Sequence, residues 1–294
     1  VNVSSLRRGL AEPLAVLARC RPWGVPNDTE IRVLAMRRSG HHAVVNWVLA
    51  QAEGWACFLN DCQREGNPYA TCRPSTSVVP VSSDAATRLF WKAERSGVHT
   101  RKSLLMYNFE DAHPEPFAAG DAVAQSRRWV GRSGRVLNVL VLRDPFNLFA
   151  SRLRWLRGRK GTGLLKDPQQ WVALWKAYAR EAAGVTDHVP DRVCVSYNAW
   201  CLSESYRRGL AERLGLPFTD AGRQEVARWG PTVWGDSFDG LRYDGRAEDM
   251  DVLERWKQFQ DDPVYRGLFE DPELVALSRT VFGDLPGTDS VAAP

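Results

Sequence analysis

The 294-residue chain is 44% hydrophobic, 25% charged and 10% aromatic, which suffices for one large core and excludes a disordered or fibrous protein. Its net charge of +4 is too mild to imply a nucleic-acid partner, although 33 of its 39 basic residues are Arg, the side chain whose planar fork suits phosphate and sulfate. No run approaches the roughly 18 apolar residues of a membrane span.

The N-terminal stretch has its apolar part broken by Glu12, Pro13 and Arg19 and reads as an amphipathic helical extension over 1–29. The core is expected over about 30–285, and 1–294 as one domain. "IRVLAM" (31–36) is an apolar strand, and a helix is expected over about 43–53. Between them lies "RRSGHH", Arg37 to His42. Gly40 permits a tight turn there, and the amides of Gly40, His41, His42 and Ala43 would face outward at a helix N-terminus, a ready anion site. Ser39 adds a hydroxyl and Arg38 a permanent charge. The loop lacks the Lys and the spacing of an ATPase P-loop. Adjacent histidines on a helix diverge by about 100°, so His41 and His42 are read as hydrogen-bond donors and no metal is expected. Trp47 either stacks on a base or fills the core, the core being the commoner role.

Cysteines 20, 57, 62, 72, 194 and 201 contain no C-x-x-C pair and read as thiols in a reducing, cytoplasmic setting. The stretch 60–84 is polar and irregular, as are 157–168 and 230–247. "SLLMYNF" (103–109) is a second buried strand, followed by Glu110, Asp111 and His113, three candidate bases at a strand's carboxyl end. Glu110 comes first and is the expected base, its competing role being a salt bridge to an Arg; His99 falls at the opposite end. "VLNVLVL" (136–142) is a third strand, ending at Arg143. Asp144 fits an N-cap and Pro145 a first helical residue, with Ser151 eight positions after Arg143. An Arg and a hydroxyl so placed can clamp a phosphate, or the Arg can pair with Asp144 or Asp121. "SRLRWLRGRKG" (151–161) lines an anion approach or forms a solvated face. "RVCVSY" (192–197) is a fourth strand, followed by a long helical pattern. Apolar strands alternating with helices imply an α/β fold with a parallel sheet covered on both faces.

"RRSGHH" together with "RDPFNLFAS" resembles the sulfotransferase family that uses 3′-phosphoadenylyl sulfate (PAPS). Its members carry a compressed phosphate loop such as K-S-G-T-T or R-S-G-T-T, and a strand ending in Arg with Ser eight residues on. "RSGHHAVVNW" and "WGDSFDG" look like the bacterial branch serving specialised pathways. The resemblance covers roughly residues 30 to 260. It implies a P-loop-like sulfotransferase fold and sulfuryl transfer from PAPS to a hydroxyl of a small molecule or carbohydrate, with release of adenosine 3′,5′-bisphosphate (PAP). It implies that Arg37, Arg38, Ser39, Gly40, His41, His42 and Ala43 hold the 5′-phosphosulfate, with Arg38 and His42 acting on the transferred group. Arg143 and Ser151 would bind the 3′-phosphate, and Tyr197 would lie by the adenine. Ser237, Arg242 and Arg246 would close over the 3′-phosphate, although the R-K-G pattern of cytosolic relatives is missing. The readings from other classes are a nucleotide kinase, which should show a Walker Lys and an Asp for Mg²⁺, and a non-catalytic nucleotide- or sulfoglycan-binding module.

Overall fold

A computed structural model of the chain describes residues 12–20, 24–118, 127–158, 167–226 and 240–292. Its strands are β1 (Asn27–Ala35), β2 (Ala56–Leu59), β3 (Lys102–Glu110), β4 (Ser133–Leu142) and β5 (Arg192–Ser196). The main helices are α1 (His41–Gln51), α2 (Asp84–Arg95), α3 (Pro145–Gly158), α4 (Pro168–Ala182), α5 (Tyr197–Leu202), α6 (Glu204–Leu214) and α7 (Pro272–Phe282). The strands form one parallel sheet in the order β2-β3-β1-β4-β5, flanked by helices. From β1 the chain leads toward β2 on one side, and from β4 it leads to β5 on the other. The carboxyl ends of β1 and β4 therefore border the point where the strand order reverses, which is where ligands collect in such sheets.

All four strands expected from apolar runs are present, as β1, β3, β4 and β5. β2 and α2 were not read from the sequence. The long helical pattern after Tyr197 is two helices, because Ser203, with extended backbone at φ −127° and ψ 115°, ends α5 and caps α6 through its hydroxyl. α1 begins at His41, two residues earlier than expected. No described helix is long and apolar enough to cross a membrane.

Contacts divide the chain into two compact units: Val1–Val33 with Ala52–Phe109 and Ala119–Asn138, and Leu34–Gln51 with Glu110–Ala118 and Val139–Pro294. In the first, β2 lies in register beside β3, pairing Cys57 with Leu105 and Phe58 with Met106. Its buried charges are paired. Glu30 accepts from Arg32 Nε at 2.8 Å, Tyr107 Oη at 2.5 Å and Ser133 Oγ at 2.6 Å. Glu94 accepts from Lys102 Nζ at 2.7 Å and from the Thr100 hydroxyl at 2.6 Å, and His99 lies 3.2 Å away.

Burial opposes the charge on Glu94, but the His99 hydrogen bond and the Lys102 ammonium outweigh it and hold the carboxyl below its ordinary value. A carboxyl depressed on folding stabilises fully above the ordinary carboxylate range and loses that contribution as pH falls through the folded value. Glu94→Gln should therefore be less stable at neutral pH and lose less stability on acidification than the parent. Urea midpoints across a pH series measure this, and parallel acid limbs would refute it.

In the second unit, Asp144 caps α3, accepting from the Asn147 amide at 2.8 Å, as its position before Pro145 implied. Trp175 of α4 donates to the Arg143 carbonyl at 2.9 Å. α7 packs on α4, joined by Lys176 to Asp271 at 2.6 Å. Phe146 and Phe269 stack at 4.4 Å. Every residue of the candidate site below belongs to this second unit.

Candidate functional site

The loop between β1 and α1 is held in a conformation its sequence does not favour. Arg38 has φ +74°, left-handed for a residue with a side chain, which costs on the order of 1 kcal/mol. Three groups fix it. Arg152 Nη1 donates to the Arg37 carbonyl at 3.1 Å, and Arg143 Nη1 to the Arg38 carbonyl at 3.3 Å. Asp111 Oδ1 accepts from the Arg37 amide at 3.0 Å, while the Asp111 amide donates to the Ala35 carbonyl. The Ala43 amide, expected to face a ligand, turns back onto the Gly40 carbonyl at 3.0 Å. The Gly40 amide donates to nothing among the described residues.

Four arginines are buried among the described residues: Arg32, Arg143, Arg152 and Arg207. Three have carboxylates, Arg32 with Glu30, Arg152 with Asp111 and Arg207 with Asp220. Arg143 has no carboxylate among the described residues and is 1% exposed. Its Nη atoms reach the carbonyls of Arg38 and Val252, and its Nε has no partner among the described residues. Of the two expected alternative partners, Asp144 is occupied by Asn147 and Asn198, and Asp121 lies outside the described residues. A desolvated cation with an unused donor is a site that calls for an anion. Beside it, Arg38 Nε lies 3.3 Å from the hydroxyl of Ser151, which is buried in α3. Arg38, Arg143 and Ser151 are thus brought together from three elements.

Glu110 ends β3 and faces the start of α1. Its Oε2 accepts from Arg37 Nε at 2.7 Å, and its Oε1 lies 3.0 Å from His41 Nε2 and 3.4 Å from His42 Nε2. Burial alone would raise its pKa, but the His41 hydrogen bond and the charges of His41, His42 and Arg37 hold it far below the usual glutamate value. A carboxylate so solvated by donors is a poor proton acceptor, and its expected role as base meets this obstacle. The two histidines do not diverge as helical neighbours should. Their ring centroids are 4.2 Å apart, because α1 only begins at His41 and both rings fold toward Glu110. His41 is buried, and its Nδ1 lies 3.3 Å from Ser39 Oγ; His42 is half-exposed. These three residues are also the one grouping with metal-ligand geometry among the described residues, and no cysteine belongs to it.

Of the remaining expectations, Tyr197 opens α5 rather than ending a strand. Its ring covers Gly40, where an added Cβ would come within 2.3 Å of the ring, and it lies 5.4 Å from the Arg143 guanidinium. Trp47 is wholly buried and gives its N–H to Asp220 at 2.8 Å, a packing role. Asp111 is committed to Arg152 through both oxygens, and His113 is exposed beside Glu115. Of the basic run after Ser151, Arg152 is buried, whereas Arg154 and Arg157 meet Gln258 and Asp262 at the surface. Arg242 and Arg246 are exposed around Tyr243, and Arg246 pairs with Asp249. Ser237 lies outside the described residues. Sequence reasoning missed Arg152 and Asp111 as loop supports. The only signal for them was an acidic residue directly after an apolar strand.

No family model matches the sequence, and no curated protein does. Among solved structures, the chain is similar to the sulfotransferase domain of the Synechococcus PCC 7002 olefin synthase. The TM-score is 0.50 at 12% identity, over 90% of this chain and 98% of that one. It is also matched to mouse sulfotransferase SULT7A1 complexed with PAP, with TM-score 0.41 and 9% identity, over 88% and 93% of the two chains. The chain has the sulfotransferase fold.

Proposed function

We propose that this chain, starting from the sulfotransferase fold, moves a sulfuryl group from PAPS to a hydroxyl of a small-molecule or carbohydrate acceptor and releases PAP. The observation that carries the reading is Arg143, a buried guanidinium without a carboxylate among the described residues, beside Ser151 and the loop that opens α1. Arg143 and Ser151 take the 3′-phosphate in this reading, and Tyr197 borders the adenine. The loop from Arg37 to Ala43 receives the 5′-phosphosulfate. As the acceptor oxygen bonds to sulfur, the bond from sulfur to the phosphate oxygen breaks, and the electron pair leaves with PAP. Arg38 and the Gly40 amide stabilise that leaving oxygen. The acceptor proton goes to His42, which is half-exposed, and Glu110 orients the His41–His42 pair without itself being protonated. The six unpaired thiols fit a reducing cytoplasmic setting.

Arg143→Met tests this reading. Exchanging a buried charge for an apolar side chain of similar length is close to neutral for folding, so the unliganded melting temperature should stay within roughly 4 °C of the parent's. In the parent, PAP should raise that temperature far more than 5′-AMP does. The difference should vanish in Arg143→Met, since losing one side of a buried charged contact costs about 2–5 kcal/mol of binding. Equal shifts from PAP and 5′-AMP in the parent would sink the assignment. Turnover of labelled PAPS against a panel of hydroxyl compounds then separates an enzyme from a binding module.

A further inference from the structure

We propose that His41, His42 and Glu110 form a binding site for a divalent d-block cation such as Zn²⁺, and that occupancy of this site switches turnover off. Two of the three donor separations match the edges of a tetrahedron. Zinc bonds of about 2.0–2.2 Å to nitrogen and oxygen put neighbouring donors roughly 3.3 Å apart. Glu110 Oε1 lies 3.0 Å from His41 Nε2 and 3.4 Å from His42 Nε2, and the three donors fall within 4.8 Å of one another. Metal binding requires the half-exposed His42 ring to turn so that the remaining edge shortens. Two imidazoles and one carboxylate select zinc-like ions over Mg²⁺ and leave one coordination position open.

The supporting contacts suit a metal as well as the ligands do. His41 presents its other nitrogen, Nδ1, to Ser39 Oγ at 3.3 Å. Without a metal His41 Nε2–H donates to Glu110; a cation takes the place of that proton, and the Nδ1–H tautomer, donating to Ser39 Oγ, turns the Nε2 lone pair to the metal. Glu110 Oε2 is fixed by Arg37 Nε at 2.7 Å, so Oε1 is the oxygen presented. Such outer contacts fix tautomer and orientation in metal sites. Arg37 and the positive end of α1 oppose a bare dication and favour an anion, or a water giving up a proton, in the fourth position. Filling the site occupies the His42 lone pair that the proposed transfer uses, so the inhibitory part rests on that reading. The binding part does not.

The test is a titration of the full chain with Co²⁺ alone, followed by displacement with Zn²⁺. A one-to-one complex is expected, with visible bands of nitrogen- and oxygen-ligated cobalt and no thiolate charge-transfer absorption. His42→Ala, at a half-exposed position, should abolish that spectrum while leaving the fold intact. Ser39→Ala should weaken binding by roughly 10–100-fold. A thiolate spectrum, or an unchanged spectrum in His42→Ala, would overturn the site. If cobalt binds as described and Zn²⁺ leaves PAPS turnover unaltered, the switch is refuted and the site stands. A chain that binds cobalt this way and turns over no PAPS refutes the transfer reading alone.

Discussion

Glu110→Gln should lower turnover of PAPS by roughly 10²–10⁴, the usual contribution of a positioned acid–base pair, with PAP affinity near the parent value. The glutamine keeps the shape and one acceptor oxygen, which serves His41 or Arg37 but not both, since these use different oxygens of Glu110. It has no charge with which to stabilise a protonated His42, so the loss falls on the chemical step. Binding should hold because Glu110 faces the histidines, whereas Arg143 directly follows β4 and Ser151 lies in α3. His42→Gln provides the companion measurement and should fall by a similar factor, with no further loss when the two are combined, as for groups acting as one unit. Calorimetric PAP titration beside a turnover assay reads both quantities. Normal turnover in either variant would remove that residue from the proton path. Lost PAP binding in Glu110→Gln would make the residue a support for Arg37.

The largest loss of stability is expected from Asp111→Ala, about 3–5 kcal/mol, because it strands a buried guanidinium. Asp111 binds Arg152 Nη1 at 2.7 Å and Nη2 at 3.3 Å, and it also receives the Arg37 amide. Arg152 is wholly buried with its guanidinium 5.1 Å from the Trp171 ring, so no solvent replaces the lost partner. At about 2–4 °C per kcal/mol, the melting temperature should drop by roughly 6–20 °C. Arg152→Leu in the same chain should restore part of the loss by removing the stranded charge, and the two substitutions should be strongly non-additive. A loss below about 1 kcal/mol for Asp111→Ala would mean that the pair does not hold the loop.

Much of this architecture could be read in one dimension. Four strands were legible because each is a largely apolar run bounded by turn or charged residues, as in "VLNVLVL" before Arg143. β2 was not, because "ACFL" is only four residues long and is followed by a polar stretch. α2 carried signals that went unread: Ser83 accepting from the Ala86 amide, Asp84 in the first turn, and Phe90 four residues after Ala86 on the buried face. Arg143 and Ser151 were visible because strand, cap and hydroxyl are consecutive in sequence. Arg152 was not, since it sits among surface arginines and its burial depends on Asp111, 41 residues away. The meeting of His41 and His42 on Glu110 was hidden for a related reason. Helical spacing describes residues inside a helix, and His41 is the residue where α1 starts.

For anyone diversifying this chain toward new acceptors, the Tyr197 ring lying over Gly40 sets the boundary of what can be varied. Position 40 is closed twice. Any Cβ there would meet the ring at 2.3 Å, and even a smaller residue at 197 would leave a φ of +84° that only glycine adopts without strain. Position 42 is closed for a different reason: its side chain is half-exposed and sterically tolerant, but its ring lies 3.4 Å from Glu110 and carries the proposed proton transfer. A library that holds 40, 42 and 197 constant and samples exposed residues elsewhere keeps both the anion loop and the proposed proton path in every member. One that randomises the whole "RRSGHH" stretch spends most of its members on chains whose loop cannot form.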